Sequence, residues 1–229
     1  YDPYEEVLSE LDEEFTDDNN NGVWEEGESF TDNNNNGIRD EYRPTTLPDN
    51  IHIMGTDNQG RDVLSRIIYG FNISITFALI VVALSYLIGI TIGACLGYFG
   101  GKIDILGMRL IEIYGSIPFL FMLMILATFI KPNVYILASM YVFLAGWIGI
   151  TWYIRGEFLR EKSKDYVSAA VSIGQSHWKV MFKHILPNSL TPIITFAPFA
   201  IIGYIGALVS LDYLGFGLQP PTPSWGELM

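Results

Sequence analysis

The chain has 229 residues, of which 50% are hydrophobic, and it carries 13 Lys and Arg against 25 Asp and Glu, a net charge of −12. An acidic balance of this size excludes nucleic acid as a partner, because nucleic-acid binding requires a basic surface. The charge is unevenly spread, because residues 1 to 50 contain sixteen acidic residues and only two basic ones, Arg39 and Arg43. This segment therefore has a net charge of −14, and the rest of the chain has a net charge of +2.

Residues 1 to 50 contain an internal repeat, in which FTDDNNNG at 15–22 returns as FTDNNNNG at 30–37. The first copy matches the calcium loop D-x-N-x-N-G-x5-E, whose alternating oxygen ligands and sharp turn at glycine surround one ion. The second copy has Arg43 where the bidentate glutamate belongs, so we expect weaker binding there. A solvated, disordered spacer is the alternative. The predicted Ca²⁺ ligands are Asp17, Asn19, Asn21, Val23 and Glu28 in the first loop, and Asp32, Asn34, Asn36 and Ile38 in the second.

Residues 51 to 70 lead into a long apolar run. Apolar residues recur in the second half of this stretch at helical spacing, whereas Arg61, Asp62 and Arg66 lie off that stripe. The pattern predicts an amphipathic helix lying in the membrane interface. Its apolar stripe consists of Val63, Leu64, Ile67, Ile68 and Phe71.

Four apolar runs are long enough to cross a membrane, since about 20 helical residues span a hydrocarbon core of about 30 Å. The second and fourth runs contain prolines, which membrane helices tolerate when neighbouring helices satisfy the freed backbone groups. The single cysteine, Cys95, lies within the first run and is interpreted as a small packing residue. The sequence therefore predicts an all-α polytopic membrane protein. The runs are 71–99, 111–130, 134–154 and 190–211.

The segment from Arg155 to Lys183 carries six Lys and Arg against three acidic residues. By the positive-inside rule this loop faces the cytoplasm. Counting spans outward then places residues 100–109 inside and residues 131–133 outside, and it places both 1–70 and 212–229 outside. The acidic segment thus lies where calcium is more plentiful.

Within this loop, residues 165–188 predict a helix, a break and a second helical piece. Val167, Ala170, Val171 and Gly174 fall three and four residues apart, which places them on one helix face. Gly174 suits the left-handed position that ends a helix, and Pro187 stops the second piece. The second piece also carries an apolar cluster, so the loop has the form of a docking element. That cluster is Trp178, Val180, Met181, Phe182 and Ile185.

The pattern AA-xxx-G, nine residues, then HILPN resembles the coupling loop of binding-protein-dependent ABC importers, in the inner-membrane permease class that carries dipeptides, oligopeptides and nickel. Two further motifs agree in identity and order, GTDNQGRDVLSR at 55–66 and LGFGLQPPTPSWG at 214–226. One position departs from the family pattern, because Ser168 stands where a glutamate usually precedes the two alanines. Any ion pair of that glutamate is therefore absent here.

The resemblance implies a six-span permease of the bacterial inner membrane, of which this chain shows spans two to five. It implies as partners a second homologous permease, cytoplasmic ATP-binding subunits, an extracytoplasmic solute-binding protein and membrane lipid. Asp212, at the outer end of the fourth run, is either solvated at the interface or faces the transport path. The residues expected to couple the permease to the ATPases are Ala169, Ala170, Gly174, His184, Leu186 and Pro187.

The predicted organisation is an acidic segment at 1–50, an interfacial helix at 51–70 and a permease domain at 71–229 with its coupling loop at 155–189. The chain contains no G-x-x-x-x-G-K-[ST] sequence, so the permease binds no nucleotide and relies on its partners for ATP hydrolysis. It also lacks nucleophile–base or metal-ligand spacing in the apolar runs, which argues against a membrane enzyme. A calcium-regulated channel or sensor is the remaining alternative.

Overall fold

The computed structural model describes residues 16, 29, 31, 47–48, 52–57, 60–218 and 222–226. The nine predicted calcium ligands lie outside these residues, so calcium binding stays a prediction. The chain divides into two compact units, residues 1–70 with 221–223 and residues 71–220 with 224–229.

In the first unit, the residues before the first helix form a tight turn closed by an isolated β-bridge between Thr56 and Asp62. Gly60 has a φ of 77°, and the Asp57 carboxylate accepts hydrogen bonds from the backbone N–H and from Nε of Arg61, both at 2.9 Å. The Asp62 carboxylate accepts the N–H of Ser65 at 2.7 Å and so caps the helix that begins at Val63. The helix predicted over 51–70 is therefore wrong before Val63, because glycine and aspartate favour a turn there.

The charged residues of this turn are also placed differently from the prediction. Arg61, Asp62 and Arg66 are buried instead of forming a polar outer face, and Nε of Arg66 lies 3.5 Å from the Asp57 carboxylate. Ile68 and Tyr69 are exposed on the same helix. Buried charges of opposite sign offset each other's loss of hydration, so these three residues do not form the polar face of an interfacial helix.

The described residues form helices and turns without a named strand, which confirms an all-α fold. Two stretches are π-helical. In chain order the elements are α1 (Val63–Phe99), α2 (Gly101–Gly115), α3 (Phe119–Phe129), α4 (Val134–Tyr141), the π-helix π1 (Val142–Gly146), α5 (Trp147–Lys162), α6 (Asp165–Ser172), α7 (His177–Lys179), the π-helix π2 (Val180–Ile185) and α8 (Leu186–Tyr213).

Three continuous helical stretches of the described chain are long and apolar enough to cross a membrane: Val63–Phe99, Val134–Lys162 and His177–Tyr213. A fourth span exists if α2 and α3 count as one, although their axes are bent by 66°. The span predicted over 111–130 is thus broken into two helices. Pro118 lacks an N–H and disfavours a helical conformation at Ile117, so the helix ends before them.

Helix α1 packs closely on α5 through three glycines spaced four residues apart. A Cβ on any of them would lie less than 3 Å from a backbone carbonyl oxygen of α5. This G-x-x-x-G-x-x-x-G row lets two membrane helices approach backbone to backbone. The sequence analysis did not predict this contact between α1 and α5, although the four-residue spacing of the glycines is sufficient to indicate it. The pairs are Gly89 with Trp147 at 2.9 Å, Gly93 with Thr151 at 2.6 Å and Gly97 with Arg155 at 2.7 Å.

The π-helix π1 leaves carbonyl groups that accept hydrogen bonds from side chains of α2, α8 and the start of α5. The carbonyl of Phe143 accepts a hydrogen bond from the Tyr114 hydroxyl at 2.7 Å and from Nε1 of Trp147 at 3.2 Å. The Tyr204 hydroxyl donates to the carbonyl of Gly146 at 3.4 Å. These bonds join α2 and α8 to the helix that contains π1.

Asp212 holds the turn that follows α8. Its Oδ1 accepts the N–H of Leu218 at 2.6 Å, and a Cβ on Gly217 would lie 1.8 Å from the same oxygen. A Cβ on Gly226 would lie 2.5 Å from the Asp212 Cβ. Asp212 thus has a structural role, which also explains two glycines of the 214–226 motif. Whether it is solvated at the interface or also faces the transport path stays a prediction.

Candidate functional site

The loop between α5 and α8 packs on the ends of three membrane helices. Its inner face joins a buried apolar cluster with residues of α1, α5 and α8. The predicted helix-turn-helix is present as α6, a turn and α7 continuing into π2. The prediction that Pro187 stops the second piece is wrong, because the helix continues from His177 to Tyr213 with Pro187 near the start of α8. The loop is therefore anchored along its length. The cluster consists of Ala94, Tyr98, Ile154, Phe158, Val167, Ala170, Val180, Met181, Ile185 and Ile193.

Gly174 ends α6 in the left-handed conformation, with a φ of 76°, as its position in the sequence predicts. The N–H of Gly174 donates to the carbonyl of Val171 at 2.9 Å, and the N–H of Gln175 donates to the carbonyl of Ala170 at 3.2 Å. This pair of bonds is the Schellman motif. No atom outside the neighbouring residues lies within 4 Å of a Cβ placed on Gly174, so the glycine is required by the backbone and leaves open space beside it.

The six predicted coupling residues divide by exposure. Ala169, Gly174 and Pro187 are exposed, and His184 and Leu186 are half-buried. Ala170 instead lies in the buried cluster. Whether these residues contact an ATPase stays a prediction, but Ala170 can act only by supporting the loop from within.

Four large apolar side chains point away from the anchored face. Ile173 is 75% exposed and Trp178 is 60% exposed, and the Trp178 and Phe182 rings stack at 5.6 Å with an angle of 11° between their planes. The predicted second apolar cluster is thus split, since Val180, Met181 and Ile185 are buried. Exposed apolar groups of this kind mark an interaction surface. We call Val171, Ile173, Trp178 and Phe182 the outer apolar set.

Polar contacts fix the ends of the loop. Nε2 of His184 lies 2.7 Å from Oε1 of Gln175, and Nδ2 of Asn188 donates to the carbonyl of His184 at 2.8 Å. The Tyr166 hydroxyl donates to Oε2 of Glu161 at 2.9 Å. These bonds tie the turn to π2 and the start of α6 to the end of α5.

Burial raises the pKa of Tyr166, and the hydrogen bond to the Glu161 carboxylate raises it further. Glu161 itself is buried and pairs with Lys164 at 3.3 Å. Ser168, which replaces the usual glutamate of the resemblance, is exposed on α6. The carboxylate that organises this region is therefore Glu161, seven positions earlier in the chain.

The loop lies at the same end of the helices as the α1–α2 connection. Nη2 of Arg155 donates to Oδ2 of Asp104 at 2.6 Å, and Nζ of Lys162 donates to the carbonyl of Tyr98. The predicted topology requires this arrangement, because it places both the loop and residues 100–109 on the cytoplasmic side. Sequence reasoning did not find the Arg155–Asp104 pair, because the two residues are 51 positions apart and no spacing rule joins them.

Hollows also lie elsewhere in the second unit. One of about 520 Å³ is bordered by Lys131, Pro132 and residues 215–217. A smaller groove of about 220 Å³ lies between α1, α5 and α8 and carries Tyr86, Tyr153 and Tyr204. The groove is bordered by three helices and combines aromatic surface with phenol hydroxyls.

The family model for the binding-protein-dependent transport system inner membrane component matches residues 85–229. The chain is 46% identical over 180 residues to the peptidoglycan transport system permease protein YejE of Agrobacterium fabrum, covering 79% of this chain and 47% of that protein. It is 41% identical over 182 residues to the inner membrane ABC transporter permease protein YejE of Escherichia coli, covering 80% and 53%. It is 36% identical over 185 residues to the oligopeptide transport system permease protein OppC of Haemophilus influenzae, covering 79% and 58%. The chain spans about half the length of the curated relatives it matches.

Proposed function

The chain belongs to the family of binding-protein-dependent transport system inner membrane components, and we propose that it acts as the transmembrane permease subunit of an ABC importer for peptides or a similar small solute. The observation that carries this proposal is the loop between α5 and α8. Its inner face is packed into the ends of the spans, and its outer apolar set is exposed. This multi-pass inner-membrane protein thus has a surface suited to a soluble partner.

In this proposal the loop docks on cytoplasmic ATPase subunits. The basic residues of 155–183 support its cytoplasmic placement. Because the loop is anchored by buried apolar side chains and by the bonds of Tyr166 and His184, it would move as one body when the ATPases close. Such a movement would re-orient the spans to which it is attached.

The groove with Tyr86, Tyr153 and Tyr204 supports a position for the solute path. Phenol hydroxyls and aromatic rings can contact the polar backbone and the apolar side chains of many different peptides. A second permease subunit would complete the path, and an extracytoplasmic binding protein would deliver the solute. The relatives named for oligopeptide and dipeptide transport support a peptide as this solute.

The test is uptake by the reconstituted complex. The protein, its partner permease, the ATPase subunits and the binding protein are placed in proteoliposomes, and alanine peptides of two to six residues are offered outside. We expect ATP-dependent accumulation of at least one peptide, and variants of the outer apolar set such as Trp178→Asp should lower binding of the ATPase subunits. Normal ATPase binding by Trp178→Asp would contradict the docking assignment.

We further propose that the acidic segment binds calcium on the extracytoplasmic side. The N–H of Thr16 donates to the carbonyl of Ser29 at 2.8 Å. Thr16 and Ser29 directly flank the first calcium-loop sequence, and a bond between the two flanks suits a loop that surrounds an ion. The relatives reported above are transport permeases and lend no support to a calcium-regulated channel.

A further inference from the structure

Tyr98, in the last turn of α1, connects that helix to the loop. Its side chain is 5% exposed, and its hydroxyl lies 2.9 Å from Nδ1 of His177, the first residue of α7. The two rings meet edge to face at 5.6 Å. This hydrogen bond between two side chains joins the segment 163–188 to α1.

The backbone of the same tyrosine is held from a second direction. Nζ of Lys162, the last residue of α5, donates to the carbonyl of Tyr98 and lies 5.5 Å from the centre of its ring. This carbonyl belongs to the last turn of α1, where carbonyl groups lack a partner within the helix. A cation there also interacts favourably with the helix dipole. Tyr98 is thus bound by α5 through its backbone and by the loop through its hydroxyl.

These contacts differ in kind from the apolar cluster beside them. Apolar side chains can slide past one another at little cost, because the hydrophobic effect has no preferred direction. A hydrogen bond weakens steeply with distance and angle, and a buried phenol that loses its partner is penalised. A displacement of the loop is therefore passed to the end of α1 through the Tyr98–His177 bond more directly than through packing.

We propose that Tyr98 and His177, supported by Lys162, form the positioning contact through which the loop moves α1. We call these three residues the α1 clamp. The proposal rests on the proposed function, since it requires that ATPase closure displaces the loop. It assigns a role to His177, which lies outside the residues predicted to couple the permease to the ATPases.

The test compares variants of the clamp in the reconstituted complex, with alanine peptides of two to six residues as probes. The measured quantity is ATP hydrolysed per peptide accumulated. Tyr98→Phe and His177→Leu should each raise this ratio about five-fold, the factor that corresponds to about 1 kcal/mol for one hydrogen bond. His177→Asn, which keeps an amide that can donate or accept near the position of Nδ1, should remain close to the unmodified protein. Tyr135→Phe is the matched control, because Tyr135 is 62% exposed.

A clamp with a purely structural role would give a different result. Hydrolysis and uptake would then fall together in Tyr98→Phe and His177→Leu, and an unchanged ratio would overturn the proposal. If the unmodified complex accumulates no alanine peptide, the proposed function fails for these probes, and the clamp is tested without a solute. Spin labels on Thr91 and Ser172, both exposed, in a Cys95→Ser background should then keep one narrow distance with ATP and vanadate. Tyr98→Phe should broaden that distance, and an unaltered distribution would again overturn the clamp.

Discussion

Replacing Gly93 by alanine should force α1 and α5 apart. The new Cβ would lie 2.6 Å from the carbonyl oxygen of Thr151 and 3.0 Å from two side-chain carbons of Ile154. A backbone oxygen cannot rotate away as the end of a flexible side chain can, so the helices must separate by several tenths of an ångström. Overpacking of this kind costs about 1–3 kcal/mol.

Gly156→Ala is the matched control on the facing helix. Nothing lies within 4 Å of a Cβ at Gly156, so this variant reports only the change in helix propensity, which favours alanine by about 1 kcal/mol in a helix interior. Gly93→Ala and Gly156→Ala both include this gain in helix propensity. The difference between them therefore isolates the cost of the close approach.

Thermal unfolding of the detergent-solubilised protein measures the difference, with a thiol-reactive fluorophore that labels the single cysteine, Cys95, as it becomes accessible. For a chain of this size 1 kcal/mol corresponds to about 2–4 °C in midpoint. Gly93→Ala should therefore unfold about 2–12 °C below Gly156→Ala. Equal midpoints would show that α1 and α5 do not depend on the glycine row for their packing.

Gly174→Val should leave the protein inserted but reduce uptake per ATP hydrolysed, since a β-branched residue in the left-handed region costs at least about 1–2 kcal/mol. Normal uptake, together with ATP hydrolysis that the binding protein still stimulates, would refute the role of this turn. Gly217→Ala should disturb the turn held by Asp212, because the added Cβ would meet its carboxylate at 1.8 Å, and limited proteolysis after α8 should become faster than in Gly203→Ala, where the space is open. Asp17→Ala should lower the calcium stoichiometry of the whole protein by one in a calorimetric titration, and the absence of heat from the unmodified protein at millimolar calcium would refute both calcium loops.

Local sequence signals were sufficient for much of the second unit. Apolar length predicted the membrane helices, because crossing a hydrocarbon core is a requirement on length and composition. The left-handed Gly174 followed from one residue type, since glycine alone adopts that conformation without strain. The helix-turn-helix of the loop followed from the helical spacing of its residues together with this glycine.

The features that sequence did not predict depend on contacts between distant positions. A proline lies at the 66° bend after α2, but a proline inside α8 leaves that helix unbroken. Only the packing around each proline therefore decides whether the helix bends there. The burial of Arg66 was missed because helical spacing reports which residues share a face and not what covers that face. The division of the coupling residues, with Ala170 inside and Ala169 outside, likewise required the facing helices.

The π-helix π1 has a consequence for changes in chain length. A π-turn holds one more residue than an α-helical turn while the helix on either side keeps its direction. Removing one residue from 142–146 would return this turn to α-helical geometry and leave the glycine row opposite Trp147, Thr151 and Arg155. The same deletion within α5 would rotate every later residue by about 100° and turn the carbonyls of those later residues away from α1. Natural deletions of one residue in this span should therefore be confined to the stretch from Val142 to Gly146.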